Sequence, residues 1–159
     1  MKFLFALKDI LLTVLCIITF CLFLSFTSKG KTSLIQQNNE VITLIPMEAY
    51  LRGSIKIDVD NSITNWRNEK NIVHWRFKCT QSGTYKATLI HNRSSKAFKV
   101  VFKCGKQELI QTLETGSKET RLGPLELGKG TQGVAFYAPV FPKKSKLPAI
   151  FSIILTKTN

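Results

Sequence analysis

Acidic residues are scarce: 10 Asp and Glu stand against 23 Lys and Arg in 159 residues, with two histidines and four cysteines. So few titratable groups leave little for acid–base or zinc chemistry. His74 falls on the outward parity of an alternating stretch and His91 opens the "HNRSS" turn, and neither has a carboxylate or nucleophile beside it in sequence. A solvated surface role is expected for both, with no catalytic residue and no metal motif. No local motif offers the paired acids of glycoside hydrolysis, so the chain does not read as an enzyme. Aromatics are not interleaved with the cations in a basic stripe, and "KKSK" at 143–146 is the only tight cluster, so no nucleic-acid partner is expected. Cys16 and Cys21 follow Leu15 and Phe20 rather than a small residue, which excludes a lipid-bearing cysteine and leaves both as apolar filler.

What is present begins with a membrane-targeting segment. Residues 10–26 form an uncharged apolar series interrupted only by Thr13, Thr19 and Ser25. As a helix these 17 residues would span about 26 Å, slightly less than the roughly 30 Å hydrocarbon core. A signal peptide or a short anchor over 1–28 both fit. The exit at 24–29, "LSFTSK", offers poor small-residue cleavage positions, which favours the anchor. Lys2 and Lys8 flank one side and Lys29 and Lys31 the other, a weak bias that puts the N-terminus inside and the rest outside the cytoplasm. Residues 29–40 are polar and aperiodic, as a linker would be, and the folded domain is expected over 41–159. Four of the cations and one acid lie in the first 31 residues, so 19 cations against 9 acids remain beyond them. That excess suits acidic partners such as anionic glycans or an envelope surface, or else serves solubility.

After the hydrophobic segment no helical period is sustained. Short alternating runs at 41–45, 54–59, 73–79, 84–91, 98–104, 108–113, 119–127, 133–138 and 149–156 read as strands separated by turn residues. In "VHWRFKCTQSGTYKATL", Val73, Trp75, Phe77 and Cys79 share one face and His74, Arg76 and Lys78 the other, while Gln81-Ser82-Gly83 makes the turn. The expectation is an all-β, jelly-roll β-sandwich preceded by an N-terminal hydrophobic membrane helix.

The order "MEAYLRG", "NW", "VHWRFKCTQSGTYKATL", "ETGS", "LGPLELGKG" and a late apolar strand resembles the galactose-binding-like β-sandwich. It is most similar to carbohydrate-binding modules attached to secreted glycoside hydrolases, fucosidases and sulfatases, and it covers roughly residues 41–156. The resemblance implies a non-catalytic, lectin-like domain, extracytoplasmic and either membrane-anchored or secreted, whose partner is a glycan or cell-envelope polysaccharide. Its ligands meet loops at one end of the sandwich or one concave sheet face, where aromatic rings stack on sugars. Trp66, in "NSITNWRNEKN", is the leading candidate, unless its ring folds back to cap the core. Asn65 and Arg67 would hydrogen-bond hydroxyls, and Tyr50 and Tyr137 are further candidates. Some members hold calcium through an "EAE"-like run, but here Glu48-Ala49-Tyr50 keeps only the first acid, with Asp58 and Asp60 nearby in sequence, which is short of the six to eight oxygens calcium takes. No cofactor is expected. The asparagine that many members carry before the final strand is also missing from "KLPAIFSIIL".

Two further patterns remain. Cys79 and Cys104 end strands on the core-facing parity. If those strands flank a third in one sheet, two strand spacings of roughly 9 to 10 Å forbid a disulfide. If they lie in opposite sheets, a bond closing about 25 residues would stabilise by around 3.5 kcal/mol. Asn92-Arg93-Ser94 matches the acceptor pattern for N-glycosylation, which chance alone can produce. The rival to carbohydrate binding is a protein-interaction or envelope-structural sandwich.

Overall fold

The structure, a computed structural model, describes residues 40–142 and 145–158. The membrane segment expected over 1–28 and all of the linker except Glu40 lie outside the described residues. Among the described residues no helix is long and apolar enough to cross a membrane, and the one helical turn is the 3-10 turn Pro46–Glu48.

The rest is built from antiparallel strands in two sheets. The strands are β1 (Val41–Leu44), β2 (Tyr50–Arg52), β3 (Lys56–Ile57), β4 (Ile63–Thr64), β5 (Ile72–Cys79) and β6 (Gly83–His91), followed by β7 (Phe98–Cys104), β8 (Gln107–Leu113), β9 (Glu119–Leu127), β10 (Gly130–Tyr137) and β11 (Ile150–Lys157). One sheet runs β3-β4-β11-β6-β9, with β1 also pairing β11; the other runs β2-β5-β10-β7-β8. The described residues thus form an all-β sandwich.

Alternation dictates which side of each strand is buried. In β5, Val73, Trp75, Phe77 and Cys79 are buried while His74, Arg76 and Lys78 are not. β6 repeats the pattern with Tyr85, Ala87, Leu89 and His91, and β7 with Phe98, Val100, Phe102 and Cys104. The two inner faces meet in one core whose largest fully buried side chains are Trp66, Trp75, Tyr85, Phe77, Phe98 and Phe102. Each such large apolar side chain contributes roughly 1.5–3 kcal/mol of hydrophobic stabilisation.

Polar contacts close the ends of the sandwich. The Tyr85 hydroxyl, set inside by the turn at 81–83, donates to the Gln81 carbonyl at 2.8 Å. Burial above all, and then the neighbouring Cys79 thiol, push its pKa up to about 12. Gly83 starts β6 at φ 147, a conformation only glycine takes readily, and a Cβ there would come within 3.0 Å of the Lys157 side chain. Along the seam between the sheets, Gln107 at the start of β8 donates from its amide to the Glu126 carbonyl of β9 at 2.6 Å and accepts from the Glu126 N–H at 2.8 Å.

The structure corrects several expectations. The strand expected over 54–59 shortens to Lys56–Ile57 because Asp58 begins a turn: its N–H donates to the Ser62 carbonyl at 2.9 Å, and Asn61 takes φ 62. Short strands β2 and β4, too brief to show a period, were not expected. Cys79 and Cys104 are both free and buried. Their strands lie in one sheet on either side of β10, with Cys79 opposite Gly130 and Cys104 opposite Val134. Two strand spacings and four residues of offset, roughly 10 and 13 Å, keep the sulfurs apart.

Candidate functional site

Cα partners in antiparallel strands point to the same side of a sheet, so the registers define rows of side chains across the outer face of β2-β5-β10-β7-β8. One row reads Tyr50, His74, Ala135, Lys103, Glu108; the next reads Arg52, Ile72, Tyr137, Val101, Ile110. Arg76 and Gly133 face each other one step further along. Glycine and alanine in the middle strand leave the centre of the face without bulk. The result is a shallow depression of about 280 Å³ lined chiefly by His74, Arg76, Lys103, Gly105, Gly133 and Ala135. A Cβ added at Gly133 or Gly105 would meet nothing within 4 Å, which confirms that the space above them is open.

Tyrosines flank this floor. Tyr50 is 71% exposed and its ring lies 6.4 Å from that of His74 at 47°. Tyr137 sits two strands away and two residues along, about 12 Å from Tyr50 by strand geometry. Of the five ligand-binding candidates read from the sequence, these two therefore share a surface.

The other three belong to the segment before β5. Trp66 is wholly buried, its indole N–H donates to the Ile63 carbonyl at 3.0 Å, and its ring packs edge-on against Phe136 at 5.7 Å. No face of it is left to stack on a sugar, so Trp66 is corrected from ligand platform to core cap. Asn65, at φ 65, donates its amide N–H to the Ser54 carbonyl at 2.5 Å and so holds the loop. Arg67 is exposed. Among the described residues no hydrogen bond, ion pair or ring contact joins these three to Tyr50 or Tyr137.

Charge on the outer face is lopsided. Burial, and then the Arg52 guanidinium, hold the His74 imidazole below its usual pKa. The Lys103 ammonium lies 3.9 Å from Glu108, both well exposed, a pair that solvent screens to a fraction of a kcal/mol, about 0–1. Burial, and then Glu108, push the Tyr137 phenol up. His91 does not share this surface and is not solvated as expected: it is buried at the end of β6, with Nδ1 2.7 Å from the Asn92 carbonyl and Nε2 3.0 Å from Thr120 Oγ1. Its side chain fills the sandwich and bonds only to the protein.

Calcium does not fit what is present. Among the described residues no three His, Cys, Asp or Glu side chains gather. Glu48 has one buried carboxylate oxygen without a hydrogen-bond partner, yet Tyr50, in the second acid's place, turns outward. Asp58 accepts from the Val59 N–H and Asp60 from the Ser62 N–H and hydroxyl, so both are spent on their own turn. A larger cavity of about 420 Å³, at the edge where β8 meets β9, is lined by Gln111, Thr112, Glu114, Ser117, Glu119 and Arg121 among others. It offers no aromatic ring, which sets it apart from the sheet face.

Fold and face together define a two-sheet β-sandwich with one open, aromatic-flanked sheet surface. Several solved structures share this architecture, among them carbohydrate-binding modules and parts of glycoside hydrolases. A family 35 carbohydrate-binding module from Clostridium thermocellum matches with a TM-score of 0.57 and 14% identity over 72% of this chain and 97% of that one. The CBM36-1 domain of a multidomain xylanase from the hindgut metagenome of Trinervitermes trinervoides matches with a TM-score of 0.58 and 16% identity over 75% and 98%. The GH26-CBM35 β-(1,4)-mannanase of Podospora anserina gives 0.63 and 12%, and there this chain spans only 28% of the partner's length. No family model and no curated protein matches the sequence. The resemblance read from the motifs therefore holds at the level of the fold.

Proposed function

We propose that the chain is an extracytoplasmic, non-catalytic carbohydrate-binding module of the jelly-roll type, and that it binds on the outer face of β2-β5-β10-β7-β8. The observation that carries this reading is the exposed Tyr50 ring beside the Gly133 and Ala135 floor, on a fold shared with carbohydrate-binding modules. A tyrosine whose face is open to water offers a flat apolar surface to the C–H face of a sugar and keeps its hydroxyl solvated. Tyr137 supplies a second ring across β5, and His74 and Arg76 supply donors for hydroxyls between them. Arg67 is exposed outside this group and would add a polar contact only to a ligand that reaches the loop before β5.

A glycan array probed with the full chain, Tyr50→Ala and Tyr137→Ala tests this. Binding to at least one glycan is expected, with a loss of about tenfold for Tyr50→Ala, equivalent to about 1.4 kcal/mol, the upper end of what an aromatic contact contributes. An array empty for every glycan would sink the reading in favour of a protein-interaction module.

A further inference from the structure

The two outer faces of the sandwich differ sharply in charge. On the β2-β5-β10-β7-β8 face the outward parity carries Arg52, Arg76, Lys78, Lys99 and Lys103 against the single acid Glu108. On the opposite face, the outward residues of β6 and β9 balance Lys86 and Arg121 against Glu119 and Glu126, and Lys56 of β3 lies 3.8 Å from the Asp58 carboxylate. Among the strand residues, the cationic excess therefore falls on the face that also holds the tyrosines and the depression.

Resting on the carbohydrate reading above, we propose that the ligand is an acidic polysaccharide, whose carboxylate or sulfate groups are held by Arg76 and Lys103 while its sugar rings lie against Tyr50 and Tyr137. The two cations line the depression from opposite sides, on β5 and β7, with the flat Gly133 and Ala135 strand between them. A chain lying there would find a cation on each side. Arg76 has no acidic partner among the described residues, and Lys103 has only the solvent-screened Glu108 at 3.9 Å, so neither charge is neutralised by the protein. Cations spaced along a flat sheet favour a repeating polyanion over a single small anion, because each acidic group along the polymer adds to the attraction. Complementarity of this kind acts through the field and is strongly weakened once the Debye length falls from about 10 Å at 0.1 M salt to about 3 Å at 1 M.

The test compares matched pairs that differ only in charge, by affinity electrophoresis and calorimetry on the full chain: polygalacturonate against its methyl ester, and dextran sulfate against dextran. The first pair reports carboxylate and the second sulfate. Binding of an acidic member at least about tenfold tighter than its neutral partner, lost with added salt, is expected. Arg76→Ser with Lys103→Ser should abolish the preference, whereas Lys86→Ser with Arg121→Ser on the opposite face should leave it intact. Gly133→Leu, a position without left-handed backbone, should block the floor and weaken binding of the acidic member with every charge retained.

Equal binding of charged and neutral members would overturn the proposal and leave the carbohydrate reading standing. No binding to any glycan, here or on the array, would overturn both. Retention on phosphatidylglycerol vesicles with no retention of either polysaccharide would assign the face to a membrane surface and also overturn it.

Discussion

Tryptophan 66 and histidine 91 are large ring side chains whose polar atoms are satisfied inside the protein, and this sets what their removal would do. Trp66→Ala would empty a fully enclosed site beside Phe136 and release the Ile63 carbonyl. A loss of about 3–5 kcal/mol is expected in urea unfolding, with a smaller loss for Trp66→Phe. His91 is held below its ordinary pKa by burial, against the opposing effect of the Asn92 carbonyl. Above about pH 6.5 the imidazole is neutral folded or unfolded and contributes no pH dependence. Below that the unfolded chain takes up a proton that the folded one resists, so stability falls as pH drops towards the folded pKa. Unfolding curves between about pH 7.5 and 5 should show this decline. His91→Gln should flatten it in part, because the His74 pKa is lowered too and acts with the same sign.

At the scale of the element, the cysteines are a consequence of strand order. Because β10 separates β5 from β7, Cys79 and Cys104 stay reduced even where oxidation is permitted. A thiol reagent followed by mass mapping should label neither before unfolding, and a reductant should not move the melting temperature. Burial above all raises the Cys104 thiol pKa, which slows its reaction further. Strands such as β5, β6 and β7 were legible because their alternation runs for seven residues or more, enough for the period to stand out. β2 and β4, of three and two residues, carry no such signal and arise from pairing with β5 and β11. The site was half legible for a related reason. Parity places His74 and Arg76 on an outer face, but only the register across four strands brings Tyr50, Tyr137 and Lys103 to the same face. Trp66 misled because a loop position does not reveal whether a ring turns to the core or to water.

For the whole molecule, β11 is the strand made last among those described, and it lies in the middle of its sheet, between β6 on one side and β1 and β4 on the other. Val41 in the first strand pairs with Thr156 in the last. Such pairings join residues far apart in sequence, and they make folding slow because long loops must close before the contacts that reward closure can form. A chain ending before Ile150 would leave β6, β4 and β1 without the partner between them. No cooperative unfolding transition is expected for that truncation, as measured by near-ultraviolet circular dichroism. The emerging polypeptide thus cannot complete its core until its final strand is available. Until then β6, β4 and β1 present unpaired edges, which invite pairing with other chains.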